Sequence, residues 1–203
     1  MINDILKTIK FPESLNKIKQ INPKAIPLNL TARLKCFQCG LYKRGILCPP
    51  YVWKTYPQFE TFKSTRKFIN NYKSALIFIW KNDGSKSWKI IKSDLSHIQL
   101  KKKKGMQLKG TEAGQSREIT RMMKKIQTTF KKKGYENAFS FIPGHCDLCA
   151  FKCPNRDNPP CKKNGLPSME SIGIDVYRLL EQLNIEYEYP VINELTNVTM
   201  LLT

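Results

Sequence analysis

All seven cysteines of this 203-residue chain fall in two short segments. Cys36, Cys39 and Cys48 stand in "CFQCGLYKRGILCPP"; Cys146, Cys149, Cys153 and Cys161 stand in "CDLCAFKCPNRDNPPC". Core cysteines scatter through strands and helices, whereas these group beside proline and glycine, which punctuate regular structure. Any fold for this chain must therefore carry thiol-rich loops, and clustered thiols outside oxidising compartments are more often metal ligands or catalysts than disulfides. The expected compartment is the cytoplasm. "MINDILKTIKFPESL" has no apolar core followed by a small-residue cleavage site. The longest apolar run, "ALIFIW", is too short to cross a bilayer, so no membrane partner is expected. The odd cysteine count also argues against a disulfide framework.

The spacing selects among metals. The downstream group reads C-x2-C-x3-C-P with Cys161 seven intervening residues further on, and the upstream group reads C-x2-C-x8-C-P-P. Structural zinc takes four N or S ligands, usually as two closely spaced pairs, and the solitary Cys48 fits that poorly. Iron–sulfur clusters tolerate irregular spacing and a remote last ligand, and Pro154 after Cys153 resembles the Cys-Pro ending of ferredoxin runs. A 4Fe-4S cluster is thus favoured, with zinc as the alternative. Three upstream cysteines are one short of a closed site; His145, Cys161, a substrate or nothing could complete it. His97 reads as unremarkable. Tyr51, Trp53 and Tyr56, just after the Cys-Pro-Pro, are expected to pack over the site.

Around these loops the pattern is α/β: a small mixed sheet flanked by helices, with the cysteine-rich loops forming a separate layer. One domain is expected over 1–203, with metal-binding segments at 33–56 and 144–170. Helical spacing appears over residues 1–22, from Gln58 to about Tyr72, from Glu112 to Lys132 with Gly134 as its cap, and from Asp175 to Leu183. "NPKAIPLNLTARLKC" reads as extended. "SALIFIWK", "NAFSFIPG", "EYEYPVI" and "VTMLLT" read as strands, and "KNDGSK" as a turn.

The formal charge is +19, and the stretch from Lys92 to Lys133 holds thirteen Lys or Arg against three acids. Such a surface suits an acidic redox partner protein; nucleic acid is a possible but less favoured partner, because lysine is frequent throughout the chain. The residues show no phosphate-cradling glycine loop, no nucleophile elbow, no His-Glu metal helix and no radical S-adenosylmethionine spacing.

"RLKCFQCGLYKRGILCPP", then "FKKKGYENAFSFIPGHCDLCAFKC", "PPC" and "LPSMESIGIDV", resemble the two signatures of the domain-of-unknown-function family 2284, predicted metal-binding proteins. The resemblance spans roughly residues 33–185. It implies that all seven cysteines match the family's metal ligands, and it places Tyr42, Gly144 and Pro167 to Glu170 in its signature. The family's Arg-Pro linker is replaced here by "CKKNGL". A structural role for Glu170 is preferred to proton handling. Three functions follow as expectations. The first is an iron–sulfur protein of electron transfer or a redox accessory. The second is an enzyme with an open iron site acting on a sulfur-containing or RNA substrate. The third is a zinc-stabilised nucleic-acid-binding module.

Overall fold

Every side chain from Ala75 to Trp80 is buried, and the reason is a sheet covered on both faces. In the computed structural model, which describes residues 1–38, 42–43, 45–83, 117–146, 148–149, 161, 164–188 and 194–203, these residues open strand β2 (Ala75–Asp83). β2 pairs with β1 (Leu15–Ile21) and with β4 (Glu194–Leu202), and β4 pairs in turn with β3 (Phe139–Phe141), giving the order β1-β2-β4-β3. Alternate residues of a strand point to opposite faces. Ile77 and Ile79, with Met200 and Leu202, therefore meet Phe59, Ile69, Ile172 and Leu180 on one side. Leu76, Phe78 and Trp80 meet Ile5, Met123, Ile126 and Phe130 on the other. Each such side chain contributes about 1.5–3 kcal/mol by leaving water, so these two layers carry the fold.

The helices are α1 (Ile2–Lys7), α2 (Leu30–Gln38), α3 (Tyr51–Thr55), α4 (Phe62–Asn70), α5 over 117–132, and α6 (Val176–Gln182). Thr61 and Ser64 form a reciprocal capping box at the start of α4, and the Asp175 carboxylate accepts from the Arg178 N–H at the start of α6. Ile119, Met123, Ile126 and Phe130 make the buried stripe expected for α5, and Gly134 follows it at φ 94°.

The α/β class and the flanking helices are as the sequence indicates, with these corrections. Among the described residues the strand ladders are all antiparallel rather than mixed, and the one parallel contact is the isolated bridge between Ile142 and Ser168. Leu15–Ile21 is a strand, not a second N-terminal helix. The register slips between Leu15 and Lys17, which leaves Leu15 and Ile18 on one face and Ile21 on the other, so a three-residue spacing imitates a helix. Leu30–Gln38 is helical rather than extended, because the Asn29 side chain accepts from the Thr31 N–H. The helix expected from Gln58 begins at Phe62, after a separate 3-10 turn, Pro57–Phe59. Glu186 to Glu188 lie outside any strand. Of the expected turn "KNDGSK", Lys81 to Asp83 belong to β2 and the rest lies outside the described residues, as do His97 and the first residues of the Glu112 helix. Among the described residues, which leave out much of both cysteine segments, a separate cysteine-rich layer is not shown.

Candidate metal centre

Two backbone hydrogen bonds, one tertiary and one local, position Cys146 and Cys161. Beyond β3 the Ile142 N–H donates to the Pro167 carbonyl at 3.1 Å, which sets the chain leading to Cys146 beside the chain leaving Cys161. The Asn164 N–H donates to the Cys161 carbonyl at 3.0 Å, and Gly165 follows. There the two sulfurs meet: a Cβ on Gly165 would lie 3.0 Å from Cys146 Sγ, 3.5 Å from Cys161 Sγ and 2.5 Å from Leu47 Cδ1. Leu47 belongs to the upstream loop. With Ile46 it packs on Cys161 and Cys146, and Tyr51 and Tyr56 close the patch. The Tyr56 hydroxyl donates to the Gly165 carbonyl at 2.9 Å.

Cys161 is consequently buried, and Cys146 and Cys149 are half-buried. Burial pushes the Cys146 thiol up, the Cys161 and Cys149 charges add to this, and the backbone N–H groups of Leu148 and Leu166 act against it. Burial likewise raises the Tyr56 hydroxyl to about 12, with Cys161 and Cys146 contributing. Cys146, Cys149 and Cys161 carry free thiols.

The upstream cysteines are placed differently. Cys48 follows Leu47 in a turn in which its N–H donates to the Gly45 carbonyl at 2.9 Å, and its own carbonyl accepts from Val52 as α3 begins. Cys36 sits half-buried on α2. That helix is held by Arg33, a residue that sequence reasoning passed over. Its Nη1 donates to the Glu60 carbonyl at 2.8 Å, and its Nη2 donates to the carbonyls of Phe59 at 2.6 Å and Ile172 at 3.3 Å. Its guanidinium lies over the rings of Phe62 and Trp53, at 4.4 and 5.3 Å. Burial lowers its pKa and the Cys36 charge pushes back. Gly173 makes room for this clamp. At φ 95° it turns left-handed, and a Cβ there would meet Phe62 at 2.5 Å and Arg33 Nε at 3.2 Å.

Cys39 and Cys153 lie outside the described residues. Among the described residues, no three Cys, His, Asp or Glu stand close enough to form a ready-made metal group. The structure thus brings Cys146 and Cys161 together with Cys149 near them, and it leaves Cys36 and Cys48 on separate elements. Tyr51 and Tyr56 pack over the pair as expected, while Trp53 donates instead to the Ser171 carbonyl at 3.4 Å and joins the sheet core.

The family model for predicted metal-binding proteins, DUF2284, matches residues 19–203. The chain is a DUF2284 protein. No curated protein and no solved structure matches it. The residues of this DUF2284 protein fit such a role. Two thiol sulfurs converge on one point in an apolar pocket, where a cation compensates the cost of burying thiolates. Among the described residues of the DUF2284 protein, no helix is long and apolar enough to cross a membrane.

One acid near α2 is also notable. Glu170, on the 3-10 turn Glu170–Ile172 that packs against α2, is partly exposed as a residue, yet its Oε2 is buried with no hydrogen-bond partner among the described residues. Burial raises its pKa above the usual carboxylate range; its own backbone N–H, the Lys35 charge and the Ser168 hydroxyl act the other way.

Proposed function

We propose that this DUF2284 protein holds iron–sulfur centres, one or two 4Fe-4S clusters, and works in electron transfer or as a redox accessory. Cys146, Cys149, Cys153 and Cys161 would hold the downstream centre, and Cys36, Cys39 and Cys48 the upstream one. The observation that carries this reading is the convergence of the Cys146 and Cys161 sulfurs beside Gly165, beneath Leu47 and Tyr56. The donors that converge there among the described residues are the Cys146 and Cys161 sulfurs, and the irregular spacing of the cysteines suits a cluster better than tetrahedral zinc. When bound, a cluster supplies one-electron chemistry at a potential set by burial and by hydrogen bonds to sulfur. The protein's part is to exclude water with Leu47, Tyr51 and Tyr56, and to present the Leu148 and Leu166 N–H groups to the Cys146 sulfur.

A second reading, an enzyme with an open iron at the three-cysteine upstream site, is favoured by Glu170 Oε2. It is a buried acid oxygen without a hydrogen-bond partner among the described residues, on the turn packed against the helix of Cys36. Protein purified without oxygen tests the main reading. Iron with acid-labile sulfide and a broad visible absorption is expected; zinc without sulfide, in a colourless protein, overturns it.

A further inference from the structure

We propose that the outward face of α2, with the groove beside it, docks an acidic amphipathic helix of a partner protein. Surface helices ordinarily turn their apolar stripe inward. α2 does the reverse. Ala32 and Arg33 face the body, while Leu30, Leu34 and Phe37 are 59%, 48% and 50% exposed. These three stand at i, i+4 and i+7, hence on one side of the helix. They are three of the five large apolar side chains exposed among the described residues. The stripe runs into an open groove of about 510 Å³ lined by Leu28, Asn29, Leu30, Phe62, Lys63 and Arg66. An apolar line of this kind marks an interaction site rather than an ordinary solvated face.

The rim chooses the occupant. Lys63 and Arg66 edge the groove, and Lys35, whose ammonium lies 4.1 Å from the Tyr177 ring centre, flanks the stripe. A second copy would bring the same cations, in a chain of formal charge +19, against this rim. A short line of spaced apolar anchors suits a helix laid into a groove, with acids on its flanks meeting the rim. A planar lipid surface would instead call for a long helix lying free along it, and α2 is nine residues held down by Arg33. Cys36 lies on the same helix, so the partner would sit next to the upstream cysteines. The inference goes beyond the cluster reading and does not depend on which metal is held.

The test uses the full chain, purified anaerobically with its metal, and a fluorescein-labelled synthetic helix of about five turns. The probe carries leucine at i, i+4 and i+7 with glutamate elsewhere; a lysine version and a scrambled version are controls. Anisotropy is expected to show binding of the acidic helix alone, weakening as salt rises. Leu34→Ser with Phe37→Ser should weaken it by about tenfold or more, and Lys63→Glu should weaken it and flatten the salt dependence. Lys63→Glu should melt as the unmodified chain does, because Lys63 is exposed, and the double serine variant should stay folded, losing chiefly the ring contact of Phe37 with Tyr42. Equal binding of the scrambled helix, or indifference to the α2 variants, overturns the proposal. It is also overturned if sedimentation shows a dimer that Leu34→Ser with Phe37→Ser dissolves, if phosphatidylserine vesicles are captured through the same side chains, or if single-stranded RNA displaces the helix.

Discussion

Gly165 decides how close the two halves of the centre come. A methyl at this position would sit 2.5 Å from Leu47 Cδ1 and 3.0 Å from Cys146 Sγ, so a side chain and a sulfur must both move. Gly165→Ala should therefore cost about 1–3 kcal/mol in stability, typical of overpacking, and should also lower the metal bound per chain. Denaturant melts and metal analysis of the same preparation check this; full metal content in the variant would mean that the sulfurs do not meet there. Glu170 acts through charge instead. Its folded pKa is raised, so the folded state holds the acid's proton more tightly than the unfolded chain does. That stability is complete below the ordinary carboxylate range and is lost as pH rises through the raised value. Glu170→Gln keeps the shape without the charge and should be more stable than the parent by about 1–3 kcal/mol at pH 8, with the advantage gone near pH 4. Urea melts at the two pH values check it, and a pH-independent difference would contradict it.

Among the elements, α2 matters most to the site, and Arg33 is what holds it. The fork reaches carbonyls on the Pro57–Phe59 turn, at Glu60 and on the Glu170–Ile172 turn, which one ammonium cannot do together. Arg33→Lys should cost about 2–4 kcal/mol, since buried carbonyls lose their donors, and should reduce the metal share that Cys36→Ala also removes. If Arg33→Lys lowers the melting temperature but leaves metal untouched, the clamp positions only the helix and not the site. The sequence could not have singled out Arg33, one of 35 basic residues whose burial depends on Phe62, Trp53 and the space left by Gly173. The same division runs through the fold. α5 and α6 were legible because their stripes and caps are local, and β2 because six consecutive apolar residues need two covered faces. β1 was not, since a register slip disguised its alternation, and α2 was not, since its apolar residues face outward. The thiols were legible as ligand candidates from spacing alone; their meeting beside Gly165 depends on the Ile142–Pro167 pairing, which no local pattern announces.

At the scale of the whole molecule, metal and fold are only loosely coupled. The two large buried clusters, one on each face of the sheet, contain no cysteine among their buried members; only the small cluster of Ile46, Leu47 and Cys161 does. A zinc finger unfolds without its metal because the metal supplies most of its folding free energy. Here the sheet is closed by Phe59, Phe78, Trp80, Phe130 and Phe141, all fully buried, whatever the thiols hold. Metal still binds the folded state preferentially, so its removal must lower stability by the linkage term, about 4 kcal/mol for a site at a thousandfold saturation. Chelation without oxygen is therefore expected to lower the melting temperature by several degrees while far-UV circular dichroism keeps its α/β shape. Among the described residues, trypsin should then cut after Lys43, beside the upstream cysteines, before it cuts in α5 or the sheet. Loss of the far-UV signal on chelation would show that the thiols hold the whole fold together, and that the cores on the two faces of the sheet do not stand without them.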